Sequence, residues 1–179
     1  NYRSTQTVLD AATAVIDNLV VDGNSQGTGS NYRFMGILIL NANATIQNTS
    51  VINFTDPTFG GTQHGIAIYA RNTDGVTRTV NIRNNTISNY QKGGIVVSGT
   101  GLSANIINNT ITGVGPTSMI AQNGIQIGDG ADALISGNTI SGNWYTGLNE
   151  STGILLFGAG DVQIASNVLF GNEICIYAD

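Results

Sequence analysis

A stretch close to Ile-x-Asn-Asn-Thr-Ile recurs six times in this chain, and one short loop after each copy comes Gly-Ile-x-Ile or a close variant. The first half reads Ile16-Asp17-Asn18-Leu19-Val20-Val21, Ile46-Gln47-Asn48-Thr49-Ser50-Val51 and Ile82-Arg83-Asn84-Asn85-Thr86-Ile87. It returns as Ile106-Ile107-Asn108-Asn109-Thr110-Ile111, Ile135-Ser136-Gly137-Asn138-Thr139-Ile140 and Ile164-Ala165-Ser166-Asn167-Val168-Leu169. The second half begins at Gly36, Gly65, Gly94, Gly124 and Gly153, spaced by 29, 29, 30 and 29 residues, with Glu173 in the glycine's place in the last copy. A fixed period in this range demands stacked supersecondary units, each contacting its neighbours, rather than an ordinary globular fold.

Within each half the apolar positions alternate with variable ones, the period-2 mark of a strand with one buried face. β-branched Ile, Val and Thr fill the strands, while Gly, Asn and Asp fill the gaps. Two or three short strands per coil give an all-β solenoid, a parallel β-helix of about six coils, with equivalent residues stacked roughly 4.8 Å apart. One buried column is expected from Ile37, Ile66, Ile95, Ile125, Ile154 and Ile174, and another from Ile82, Ile106, Ile135 and Ile164. Asn85, Asn109, Asn138 and Asn167 share one repeat position. Asparagine enters the left-handed backbone region readily, so these read as corner residues whose stacked amides hydrogen-bond along the column.

The repeat resembles the right-handed parallel β-helix superfamily, the pectate-lyase-like proteins and their relatives, over roughly residues 13 to 179. The resemblance implies a right-handed coil. It leaves activity open, because that superfamily spans polysaccharide lyases, hydrolases, epimerases, tailspikes, adhesins and structural modules, and function must be argued from a site. The whole chain, residues 1–179, reads as one domain, with residues 1–12 a possible N-terminal cap or partial coil.

Charged residues make up 9% of the chain, against roughly 25% in typical soluble domains. A surface solubilised by Asn, Thr, Ser and Gly suits an extracellular or cell-surface setting. Six basic residues scattered through a chain of net charge −5 form no stripe for nucleic acid. No apolar run reaches membrane-spanning length, so membrane insertion is not expected, and no signal peptide opens the chain. Cys175 is the only cysteine and excludes an internal disulfide.

The resemblance implies three catalytic patterns to look for: carboxylates around calcium with a basic residue, a close carboxylate pair or trio, or an Asp-Pro-His element. Asp56-Pro57-Thr58 has the Asp-Pro without the histidine and reads as a turn. His64, the only histidine, precedes Gly65-Ile66 and reads as a loop-edge residue; a proton-abstracting group of His64, Tyr69 and Arg71 is the alternative. Asp132 and Asp161 each lie three residues before the first Ile of their repeat and should stack, with Asp129 nearby. Like charges at that spacing could share Ca²⁺, although calcium wants six or more oxygens.

Two surfaces stand out. Outward positions of the Gly-Ile-x-Ile strand carry Leu38, Leu40, Tyr69, Val96, Leu155, Phe157 and Tyr177, an apolar strip that another segment or subunit should cover. The loops between the half-repeats carry Tyr32, Phe34, Phe59, Tyr90, Trp144 and Tyr145, rings suited to sugars or a protein partner along one edge. A Thr/Ser ladder (Thr86, Ser88, Thr110, Thr112, Thr139, Ser141) is explained by strand propensity. The favoured reading is non-enzymatic: a secreted or surface-displayed structural or adhesive module that forms homo-oligomers, a filament being one form of them. The alternative is a carbohydrate-binding or polysaccharide-processing domain, with Ca²⁺ at Asp129, Asp132 and Asp161 and no other cofactor.

Overall fold

The computed structural model describes residues 2–8, 13–27 and 33–179. Nineteen strands are described, in three sheets paired entirely in parallel. The first sheet holds β1 (Tyr2–Val8), β4 (Arg33–Leu40), β7 (Ile66–Arg71), β10 (Gly93–Ser98), β13 (Asn123–Gly128), β16 (Thr152–Phe157) and β19 (Ile174–Ala178). The second holds β2 (Thr13–Asp17), β5 (Asn43–Gln47), β8 (Arg78–Arg83), β11 (Leu102–Ile107), β14 (Asp132–Ser136) and β17 (Val162–Ala165). The third holds β3 (Val20–Asp22), β6 (Ser50–Phe54), β9 (Thr86–Tyr90), β12 (Thr110–Thr117), β15 (Thr139–Tyr145) and β18 (Val168–Phe170). The chain visits the sheets in that order in every coil, which makes a parallel β-helix of about six coils with the right-handed crossover that twisted strands favour. Tyr2–Val8 pairs with β4, so this part of the N-terminal stretch is a strand of a partial coil.

Inward columns of isoleucine and valine form the core. In the second sheet Ile16, Ile46, Ile82, Ile106 and Ile135 stack in register and are fully buried, with Ile164 half-buried above them. In the first sheet the column is Ile37, Ile68, Ile95, Ile125, Ile154 and Ile176. Two expected members, Ile66 and Ile174, are therefore displaced: Ile66 pairs with Met35 and Gly93, and Ile174 with Thr152. The glycine spacing misleads here. A loop of residues 55–65 precedes β7, and Gly65 (φ +80°) turns the chain outside the strand, so Ala67 occupies the position held by Gly36, Gly94, Gly124 and Gly153. Cys175, rather than Glu173, closes that column. Glycine is demanded at position 124 of this column: a Cβ there would lie 2.7 Å from the Gly153 carbonyl oxygen and 2.7 Å from Ile140.

The corner from the second to the third sheet takes two residues. The first is left-handed, at Asn18, Asn48, Asn84, Asn108, Gly137 and Ser166, with φ between 51° and 69°. The second carries the ladder, so Asn85, Asn109 and Asn138 are not the left-handed residues; they point inward and are buried. The amides of Asn85, Asn109 and Asn138 each donate to the next Asn Oδ1 above and to a backbone carbonyl below, as Asn109 does to Asn138 Oδ1 (2.9 Å) and Ile82 O (2.9 Å). Each Oδ1 also accepts the backbone N–H of the preceding rung. A second amide pair, Asn143 and Asn172, repeats the bonding at the end of the third sheet.

Candidate functional site

The first sheet's outward face is the floor of a groove, and the loops arriving from the third sheet are its wall. Strand pairing aligns Leu38, Tyr69, Val96, Gln126, Leu155 and Tyr177 in one outward column. A second, nearer the wall, runs Met35, Ile66, Gly93, Asn123, Thr152 and Ile174. A third runs Leu40, Arg71, Ser98, Gly128 and Phe157.

Buried polar side chains fasten the wall. In the loop of residues 55–65, His64 Nε2 lies 2.6 Å from Asp56 Oδ1, with both residues buried. Gln91 donates to Asp56 Oδ2 (3.1 Å) and to Thr62 O (2.9 Å), and its Oε1 accepts the Asp56 N–H (2.8 Å). Burial raises the Asp56 pKa, but hydrogen bonds from Gln91, His64 and Thr62 outweigh it, and the carboxyl stays below its ordinary value. Gln122 anchors the next loop by donating to Tyr90 O and accepting from Val114 N, while its own N–H meets Ser151 Oγ. Glu173 Oε2 accepts the N–H groups of Tyr145 and Ser151 and so holds both ends of the loop of residues 146–151. A wall tied in this way is formed before any ligand arrives.

Two depressions lie along the groove. The larger, about 460 Å³, is lined by Met119, Ile120, Ala121, Asn123, Tyr145, Asn149, Glu150, Thr152, Leu155, Phe157, Tyr177 and Asp179. The smaller, about 200 Å³, is lined by Phe34, Met35, His64, Ile66, Tyr69, Gly93, Val96 and Gln126. Gln63 and Lys92 line both. Lys92 Nζ donates to Ala121 O at 2.8 Å, and burial pushes its pKa below the ordinary lysine value.

The loop aromatics part company. Tyr145 lines the larger depression and Phe34 the smaller. Phe34 also packs against Phe54 (ring centroids 5.0 Å) and His64 (6.4 Å). Tyr90 is no surface ring: it is fully buried, its hydroxyl donates to Asn143 Oδ1, and burial raises its pKa. Trp144 is exposed and Phe59 half-buried, and neither lines a depression; Tyr32 lies outside the described residues. The apolar strip also needs correction. Leu38 is 2% and Val96 8% exposed, so this chain covers them itself, whereas Phe157 (56%) and Tyr177 (40%) are open. The two-residue displacement places Tyr69 with Leu38 and Val96, and Tyr177 with Leu155, while Leu40 stands beside Arg71 in the third column.

The three aspartates divide. Asp132 and Asp161 do sit one above the other, but Asp132 Oδ1 accepts the Asp161 N–H (2.8 Å), while Asp129 accepts from Ser98 Oγ. Among the described residues no three His, Cys, Asp or Glu side chains converge as metal ligands. Asp56 and His64, read separately in the sequence as a turn and a loop edge, form one buried pair. Lys92 went unnoticed, although being the only lysine in the chain was a visible signal.

No helix among the described residues is long and apolar enough to cross a membrane. A family model described as right handed beta helix region matches residues 64–179. No curated protein matches the chain. No solved structure matches it either.

Proposed function

This chain belongs to the right-handed β-helix family, and we propose that its groove binds carbohydrate. One observation carries the reading: a pre-formed groove along the first sheet sets Tyr69, Tyr145, Phe157 and Tyr177 beside the accessible amides of Gln63, Gln126 and Asn149. Rings offer flat apolar faces to the C–H faces of sugars, and amides and hydroxyls match sugar hydroxyls as both donors and acceptors. The larger depression falls within the size range of small-molecule sites, and a linear glycan could follow the floor from coil to coil. A chain with only 9% charged residues supports display outside the cell, where such ligands are met.

The test is a glycan array followed by calorimetry. The protein should bind a set of oligosaccharides, and Tyr145→Ala and Tyr177→Ala should each weaken binding about tenfold, the loss of one ring contact. Absence of binding to every oligosaccharide would overturn the reading. A second reading, an adhesive module that self-associates, is favoured by the openness of Phe157 and Tyr177 on neighbouring rungs. Light scattering checks it: a mass that rises with concentration, and returns to the monomer value in Phe157→Ser, supports it.

A further inference from the structure

We propose that the ligand of this groove is a largely neutral glycan bearing an isolated anionic group, a carboxylate or a sulfate ester, that seats on the Lys92 ammonium between the two depressions. The proposal rests on the reading of the groove as a glycan site and goes on to name the ligand's chemistry. Lys92 is the only lysine in the chain and borders both depressions. Its ammonium has three donors. One goes to Ala121 O at 2.8 Å, and among the described residues no carboxylate lies within 4.0 Å of it. A half-buried cation without a counter-charge is costly, and a ligand anion would supply both the charge and the missing acceptors.

The surroundings limit that anion to an isolated one. The larger depression also presents Glu150 and Asp179, and the chain's net charge is −5. A glycan acidic at every residue would bring its other carboxylates against these two, and like charges in a partly enclosed groove repel. Among the described residues, the smaller depression has only Lys92 and His64 as ionisable groups besides the Tyr69 phenol, and His64 is already bonded to Asp56. An acidic group at Lys92 flanked by neutral sugars meets the cation without meeting the carboxylates.

The experiment compares, by array and then calorimetry, neutral oligosaccharides, the same backbones with one internal uronate or one sulfate ester, and polyuronates. The singly acidic forms should bind about tenfold tighter than the neutral parents, the scale of one charge-assisted hydrogen bond, and tighter than polyuronates. The uronate and sulfate series show which acid is read. Lys92→Met should bring the acidic-to-neutral ratio close to one, and Lys92→Arg should keep it above one, which separates loss of charge from loss of fold. Equal binding of neutral and acidic forms, strongest binding to polyuronate, or an unchanged ratio in Lys92→Met would overturn this inference while leaving the groove as a glycan site. Failure of every oligosaccharide to bind would overturn both.

Discussion

Asn109 sits inside the amide ladder with every polar group engaged: Oδ1 accepts from the backbone N–H and the side chain of Asn85, and Nδ2 donates to Ile82 O and Asn138 Oδ1. Asn109→Ala would leave buried donors of Asn85 and the Ile82 carbonyl without those partners, which costs about 3 kcal/mol and is read as a shift in a urea midpoint. Its neighbour Asn108 is left-handed and exposed, so Asn108→Gly should change stability by less than about 0.5 kcal/mol. Two identical letters thus carry different physics, set by which one faces the core. The same contrast tests the first sheet's register. Ile125→Ala removes a fully buried side chain and should cost about 2–5 kcal/mol, whereas Ile66→Ala, on the groove side, should cost less than about 1 kcal/mol. Equal losses would reject the pairing of Ile68, rather than Ile66, with Ile95.

At the scale of the element, the loop of residues 55–65 behaves as a strap fastened by Asp56, His64 and Gln91. The Asp56 carboxyl is held below its ordinary value of 3.8, so its contribution to stability is complete above that pH and is lost as pH falls below 3.8 through the lower folded value. Asp56→Asn should lower the Tm at neutral pH, and its gap from the parent protein should narrow as the pH drops below 3.8. A gap independent of pH would mean that the charge on Asp56 does not act. Hydrogen exchange of amides 55–65 should quicken in the variant, while the amides of β8 and β11, away from the strap, stay protected.

At the scale of the whole molecule, coils contact their neighbours, with the Tyr90 hydroxyl reaching Asn143 two coils on, and metal is the remaining candidate for an added tie. Asp132 and Asp161 offer few oxygens, and one of them already caps an N–H. Added EDTA should therefore leave the Tm where it stands in calcium, and a fall of several degrees would instead establish a bound ion, since a ligand of the native state alone stabilises it. The groove is also a property of the whole molecule: its floor is shared by six strands and its wall by loops that are distant in sequence.

The sequence by itself determined the architecture, because a hydrophobic alternation repeated about every 29 residues has nowhere to bury its faces except in a stack. It also located the asparagine ladder and the vertical pairing of Asp132 with Asp161. Only the tertiary structure decided the register of β7 and β19, since a slip of two residues leaves an inward–outward alternation intact and the repeat letters cannot distinguish the two frames. That slip assigns Tyr69 and Tyr177 to the groove floor. The Asp56–His64–Gln91 fastening and the lone Lys92 ammonium depend on loops of unequal length meeting across coils. Loop closure of that kind is set by partners 8 to 35 residues apart and leaves no periodic mark on the chain.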